Sequence, residues 1–208
     1  MKLLLENWRN YLKEGMKTWD NLPDNVVVAI KSGERSVEIY YADADNPDNY
    51  AENPDGNVII TNRKPTSMDK HMMDKAGIKS STYGPCDNAW RVVETEAQSG
   101  WGPLLYDIAI EFATLNGSGL TPDRINVSDE AESVWDYYSK SRGDVTSHQL
   151  DDLDNTLTPQ EKDNCLQHAA AQVSSDFSDS SLSKRYTKEP TTIKSLGDKL
   201  KNLQENRK

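Results

Sequence analysis

The sequence predicts an α/β (α+β) protein whose central sheet is mixed, mostly antiparallel and flanked by helices. Two observations lead to this fold class. Four short segments are rich in β-branched and apolar residues, which is typical of strands: 26–30, 36–41, 57–63 and 89–96. Two later segments carry apolar residues at a 3.6-residue period and predict helices: 103–115 and 128–142.

The first two predicted strands form a hairpin. Val26–Ile30 predicts a buried strand, and Ser36–Tyr41 predicts its partner across the turn Ser32–Arg35. The next segment, Asp43–Gly56, is crowded with Asp, Asn and Pro. Its carboxylates could hold calcium, but their spacing does not match an EF-hand loop, so a solvated turn is the favoured interpretation.

Two more strands are predicted before the helices. Asn57–Arg63 forms the third strand, and Lys64–Pro85 is irregular, with His71 in a short surface helix or lid. Ala89–Glu96 forms the fourth strand. Strict alternation along it places four side chains on one face: Trp90, Val92, Glu94 and Glu96.

A Gly-Trp-Gly turn, Gly100–Gly102, leads into the first long helix. Pro103 suits the first helical position, and Asn116 followed by Gly117 ends the helix. Glycines before a helix let backbone N–H groups point outward, and the positive helix N-terminus suits a pyrophosphate. The P-loop lysine is missing, and Leu105 stands where a dinucleotide fingerprint needs its third glycine. An ordinary tight turn remains the alternative.

The second long helix follows a short strand at Gly119–Thr121. Ser128 caps this helix, and Gly143 ends it. Its apolar stripe predicts the buried residues Ala131, Val134, Trp135 and Tyr138.

Three further elements are predicted towards the C-terminus. Thr158–Glu161 is a capping box with proline at the first helical position, so a third helix runs from there to about Gln172. Ser174–Ser183 is rich in Ser and Asp and predicts a linker. Thr191–Asn206 predicts a final, mostly polar helix.

The chain of 208 residues, 35% of them hydrophobic, is long enough for one well-buried domain with polar appendages. Leu4, Trp8 and Leu12 recur at helical spacing and predict a short amphipathic helix at the start. The predicted organisation is a leader helix at 1–14, the main domain at 15–145, a helical extension at 146–173, and a polar linker and tail helix at 174–208.

Charge and cysteine content exclude several classes of protein. The formal net charge of -10 argues against a nucleic-acid or anionic-membrane surface and leaves room for a cationic partner. No apolar run approaches the length of a membrane span. Cys86 and Cys165 are the only cysteines and make no disulfide framework, which favours a reducing compartment. Cys165 and His168 have a spacing compatible with zinc, but the scarcity of cysteine favours no metal site.

The segment Gly100–Ala113 resembles the acetyl-CoA-binding motif of the GNAT family of N-acetyltransferases. Ser128–Tyr138 is similar to the segment of that family in which a helix follows the fifth strand. The resemblance covers roughly residues 24–145. It implies a GNAT-like fold, acetyl-CoA as the cofactor and an amine as the substrate.

The resemblance also implies site residues. The cofactor would be bound by the turn and its neighbours: Gln98, Gly100, Trp101, Gly102 and Leu104. Glu94 or Glu96 would take the amine proton, and Tyr138, with Tyr137 as the alternative, would protonate the departing thiolate. The sequence departs from the family at three positions, with Ala97 in place of Gln or Arg, Pro103 in the turn, and Trp135 at the usual tyrosine. Solvent-facing strand carboxylates are the alternative for Glu94 and Glu96.

Leu12-Lys13-Glu14 before Gly15 resembles the cleavage sites of prohead proteases of large tailed phages. This resemblance implies a leader that directs the protein into the phage head and is then removed. We therefore expect a phage-associated GNAT-like protein in the host cytoplasm or the virion, acting as an acetyl-CoA-dependent N-acetyltransferase. The alternative is a non-catalytic virion, internal-head or host-interaction protein that binds phage capsid or other virion proteins, and an acidic decoy for a basic host protein is a third option.

Overall fold

The computed structural model describes residues 15–34, 36–62, 86–123, 127–152, 155–165 and 177–204. The predicted leader helix at 1–14 and the irregular segment containing His71 lie outside these residues. The predicted third helix from 166 onward, residues 174–176 of the predicted linker and residues 205–206 of the predicted tail helix also lie outside them.

The described residues form an eight-stranded mixed sheet and three helices. The strands are β1 Val26–Ser32, β2 Val37–Asp43, β3 Gly56–Thr61, β4 Trp90–Ala97, β5 Leu120–Thr121, β6 Val145–Gln149, β7 Lys184–Lys188 and β8 Leu200–Gln204. The helices are α1 Gly102–Leu115, α2 Asp129–Ser141 and α3 Thr191–Leu196. The strand order is β6-β7-β5-β4-β3-β2-β1-β8, and among these described strands only the β4–β5 and β1–β8 pairs are parallel. The predicted fold class is confirmed.

The predicted hairpin of β1 and β2 is confirmed, with Val26 opposite Asp43 and Ser32 opposite Val37. Alternate residues of the two strands face the main core beneath α1: Val28, Ile30, Ile39 and Tyr41. The intervening residues form a smaller buried cluster: Val27, Ala29, Tyr40 and Ala42. Because β1 is buried on both faces, residues 26–30 form an uninterrupted apolar run in the sequence.

The two long helices form where the sequence predicts them. In α1 the apolar stripe is buried in the main core, with Leu105, Ile108 and Ala109 each 0% exposed. The amide of Asn116 closes the last turn on the carbonyl of Phe112. In α2 the Ser128 hydroxyl accepts the Ala131 N–H at 3.3 Å, a cap that typically contributes about 1 kcal/mol.

The C-terminal segment differs from the predicted linker and tail helix. β7 lies between β5 and β6 and buries Tyr186 completely. The last helix ends at Leu196, where Gly197 has a positive φ of 51°, and β8 then pairs in parallel with β1. The helical prediction was wrong beyond this point, because the spacing of Leu200 and Leu203 fits the apolar stripe of a helix although the segment forms a strand. The open edge of β1, which no local pattern reveals, offers backbone hydrogen bonds to a strand.

The predicted third helix does not form over its described part. Within residues 155–165 the only helical element is the 3-10 turn Glu161–Asp163, and β6 covers the first four residues of the predicted helical extension. The Thr158 hydroxyl, predicted to cap the helix, donates instead to Asp163 Oδ2 at 2.7 Å. The carboxylate of Asp151 accepts the N–H groups of Leu157 and Thr158 at 3.0 and 3.2 Å. These side-chain bonds satisfy the backbone in a non-helical conformation.

The structure corrects the expectation of unpaired thiols, because Cys86 and Cys165 form a disulfide with their Cα atoms 4.3 Å apart. The two cysteines are separated by 79 positions in the chain, so sequence proximity gives no sign of the bond. The Cys86 N–H also donates to the Asn164 carbonyl at 3.0 Å, so the disulfide is accompanied by a backbone hydrogen bond between the two segments.

Candidate functional site

The fourth strand carries a β-bulge that decides which side chains face outward. Ile59 of β3 lies opposite Glu94, whereas the next residue, Ile60, lies opposite Val92, so Val93 is the extra residue. The bulge reverses the alternation. Trp90 and Val92 enter the main core, while Glu94 and Glu96 are exposed on the other face of the sheet. The predicted sharing of one face by these four residues was therefore wrong.

Glu94 and Glu96 belong to a polar patch on β2, β3 and β4 that also contains Glu38 and Asn57. Glu38 of β2 and Glu94 of β4 both lie opposite Ile59, on either side of β3. The Glu38 carboxylate accepts hydrogen bonds from the Tyr50 hydroxyl and from Asn57 Nδ2. Burial and the adjacent Glu38 raise the pKa of Tyr50, which keeps its phenol protonated as a donor.

Glu38 was not identified from the sequence. The only available signal was its position in the alternation of β2, and such a signal does not reveal which residues lie opposite on β3.

The Gly-Trp-Gly turn is built as predicted, with Gly100 at a φ of 82° and Trp101 immediately before α1. Trp101 is 4% exposed, and its carbonyl accepts the Tyr41 hydroxyl at 2.7 Å. Its N–H donates to the Gln98 carbonyl at 3.1 Å. That amide is therefore already used within the turn, and Pro103 supplies none.

The segment Gly15–Lys17 lies across this turn. The Lys17 N–H donates to the Gly100 carbonyl at 3.1 Å, and the Lys17 ammonium stands 4.9 Å from the centre of the Trp101 ring. A Cβ at Gly100 would come within 3.3 Å of the Gly15 carbonyl oxygen. A cleft of about 430 Å³ opens here, lined by Gly15, Met16, Lys17, Asn21 and Trp101. Lys17 was not among the predicted site residues.

The other predicted cofactor-binding residues occupy different surroundings. Gln98 points to the loop before β3, since its N–H donates to the Asp55 carbonyl at 3.0 Å and its Nε2 to the Glu52 carbonyl at 3.5 Å. The side chain of Leu104 packs in the main core at 3% exposure, so only its backbone is available to a ligand.

Tyr138 is buried between α1 and α2. Its hydroxyl lies 2.8 Å from Asp107 Oδ1 and 3.1 Å from the Pro103 carbonyl, and the residue is 1% exposed. Asp107 also pairs with Arg142 at 3.0 Å, and burial raises its pKa against the opposing effect of that guanidinium. α1 packs on the face of the sheet opposite Glu94. The structure does not bring Tyr138 together with the two glutamates.

The zinc alternative rests on Cys165 and on His168, and His168 lies outside the described residues. Cys165 is bonded to Cys86, so its sulfur is not a free thiolate ligand. Across the described ranges, no group of three His, Cys, Asp or Glu side chains is arranged to hold a metal ion.

Comparisons with known proteins identify no relative of this chain. No family model matches it, and neither a curated protein nor a solved structure does so. None of the helices in the described part of the chain has the length and apolar character needed to cross a membrane.

Proposed function

We propose that this chain is a phage-associated GNAT-like acyltransferase that binds acetyl-CoA and transfers its acetyl group to an amine. The observation that carries the proposal is the short pairing of β4 with β5. The two parallel strands pair only at Trp90–Leu120 and Arg91–Thr121. Beyond Arg91, the edge of β4 that faces β5 has no strand partner among the described residues.

This unpaired edge is suited to an extended ligand. The backbone N–H and C=O groups of residues 92–97 that point away from β3 can pair with the amide groups of a pantetheine chain, as a strand edge pairs with an extended peptide. The same edge leads directly to the Gly-Trp-Gly turn and the N-terminus of α1. A long ligand with an amide-containing arm and a pyrophosphate therefore fits the order of these elements.

The residues at the turn fit a pyrophosphate, with Lys17 as a contact in place of the predicted Trp101 amide. Trp101 and Pro103 offer no free amide, but the amides of Gly102 and Leu104 lie in the first helical turn, where no intrahelical acceptor exists. Lys17 adds an ammonium group beside Trp101. A helix N-terminus and a lysine together favour an anion.

The polar patch on β2, β3 and β4 supports an amine as the acceptor. Glu38, Glu94 and Glu96 carry negative charge on one face of the sheet, and an amine is cationic before it reacts. Glu94 or Glu96, both exposed, takes the amine proton in this proposal. Bound acetyl-CoA supplies the activated acetyl thioester.

Titration of the purified chain with acetyl-CoA tests the proposal. We expect binding heat in calorimetry and a rise in melting temperature, because a ligand that binds the folded state stabilises it. Glu94→Gln and Glu96→Gln are then expected to keep binding but lower acetylation of a primary amine. Glu132→Gln on α2 is the matched control. No heat and no thermal shift at millimolar acetyl-CoA would contradict cofactor binding.

A non-catalytic virion or host-interaction protein is the second candidate. Two observations favour it: Tyr138 is held by Asp107 and is not free to protonate a thiolate, and the segment Gly15–Lys17 partly covers the turn. It predicts that the protein is found in purified phage particles and contacts capsid or other virion proteins. Mass spectrometry of such particles is the test, with a new N-terminus at Gly15 expected if the leader is removed. Absence from the particles, or retention of Met1, would count against the cleaved leader.

A further inference from the structure

A left-handed turn stands immediately before β4. Cys86, Asp87 and Asn88 have positive φ values of 51°, 52° and 59°, three in succession and none of them glycine. The left-handed conformation is sterically unfavourable for residues with a Cβ, although less so for Asp and Asn than for Cys, and it normally occurs singly. It persists where surrounding structure imposes it.

A disulfide and two ion pairs connect this turn to other segments of the chain. Cys86 is bonded to Cys165, which is 1% exposed and donates its N–H to the Asp151 carbonyl at 3.0 Å. Asp87 pairs with Arg185 of β7 at 2.9 Å. A longer pair, at 3.7 Å, joins Asp87 to Lys162. The covalent bond therefore anchors one end of the turn to a buried residue.

The turn determines how β4 begins. The Ala89 N–H donates to the Cys86 carbonyl at 3.0 Å, and the Trp90 N–H donates to the Gly119 carbonyl at 2.8 Å. Trp90 then starts the parallel pairing with Leu120. A Cβ at Gly117 would lie 2.9 Å from the Asn88 carbonyl oxygen, so the turn is in close contact with the segment that leads into β5.

We propose that the Cys86–Cys165 disulfide is a redox-sensitive clamp that holds the left-handed turn and thereby the β4–β5 junction. A dithiol reductant opens the clamp by thiol–disulfide exchange. The protein S–S bond accepts two electrons and two protons to give two cysteine thiols, and the dithiol becomes a cyclic disulfide. The released turn relaxes toward negative φ, and the Trp90–Leu120 pairing loosens. This inference goes beyond the proposed function and holds whether or not the chain binds acetyl-CoA.

Hydrogen exchange on the full chain tests the clamp. Thiol titration of the denatured protein should find no free thiol before treatment with a dithiol and two afterwards. Reduction should speed amide exchange at 89–91 and 119–121 by roughly tenfold or more, as expected for local opening, and leave exchange in the β1–β2 hairpin unchanged. Two free thiols before reduction, no change at the junction, or an equal rise in both regions would overturn the proposal.

Two sets of variants separate the clamp from a general loss of stability. The double variant Cys86→Ala/Cys165→Ala should show the fast junction exchange without any reductant. Asn88→Gly should restore slow exchange in the reduced protein, because glycine adopts positive φ without steric penalty. Asn116→Gly is the control, since Asn116 has a φ of −111° and glycine there relieves nothing. Equal amide exchange rates at 89–91 and 119–121 in the reduced Asn88→Gly and Asn116→Gly proteins would contradict the proposal that the disulfide holds the turn.

Discussion

Glu111 of α1 accepts the backbone N–H of Ile193 in α3, with Oε2 and the amide nitrogen 2.7 Å apart. Its other oxygen accepts the Thr192 N–H at 2.8 Å and pairs with the Lys188 ammonium. Glu111 is 0% exposed and Lys188 is 4% exposed. A single buried carboxylate therefore caps the C-terminal helix and neutralises a buried lysine, which joins the C-terminal segment to the centre of the fold.

Replacing Glu111 by Gln should lower the free energy of unfolding by about 3 kcal/mol, because the buried Lys188 loses its close carboxylate partner and is left with Asp144 at 3.8 Å. Urea unfolding followed by circular dichroism measures the change. The exposed pair of Asp136 and Lys140, 2.8 Å apart, provides the control. Asp136→Asn should cost less than about 0.5 kcal/mol. Equal effects of the two substitutions would contradict the role of Glu111.

Tyr138→Phe should lower the free energy of unfolding by about 1–2 kcal/mol, because Asp107 loses a buried hydrogen-bond donor. Acetyl-CoA affinity should stay unchanged, since Tyr138 lies in the α1–α2 interface. Thermal unfolding and calorimetry give the two readouts. A large fall in acetyl transfer with stability unchanged would instead support the proton-donor role predicted from the sequence.

Lys17→Gln should weaken acetyl-CoA binding by roughly three- to tenfold, the loss of about one charge-assisted contact. The reason is the position of its ammonium beside the Gly-Trp-Gly turn, 4.9 Å from the Trp101 ring centre. Lys31→Gln is a suitable control, because Lys31 pairs with Asp48 at 3.6 Å on a different part of the sheet. Binding that is insensitive to both substitutions would exclude Lys17 from the proposed site.

Stability should fall as pH drops below about 6.5, the ordinary pKa of histidine. Burial, together with the charge of Arg185, lowers the pKa of His148 in the folded protein, so the unfolded chain binds more protons in this range. The stability linked to the neutral form of His148 is fully present above the pKa of histidine in the unfolded chain. It is lost as the pH falls through the lower pKa of His148 in the folded protein. Melting temperatures from pH 7.5 to 5 should show the fall, and His148→Gln should reduce it. An identical pH profile for the variant would show that His148 is not responsible.

The candidate site could be predicted only in part. The Gly-Trp-Gly turn depends on residues close to it in the sequence, whereas the position of Lys17 depends on a contact between distant segments. The turn at Gly100 and the helix after it follow from neighbouring residues, and both form as expected. The contribution of Lys17 requires a segment 83 positions before Gly100 to fold across the turn, as their hydrogen bond shows. No local pattern encodes that contact.

The sequence by itself determined the elements whose signals are local. The β1–β2 hairpin, α1 and the Ser128-capped α2 follow from periodicity and from caps within a few residues. Tertiary structure alone decided the outward direction of Glu94, because one extra residue in β4 reverses the strand's alternation. It also decided that Leu200–Gln204 is a strand and that Cys86 meets Cys165. The physical reason is the same in both cases: strand pairing and covalent cross-linking are set by distant partners, and these override local propensity.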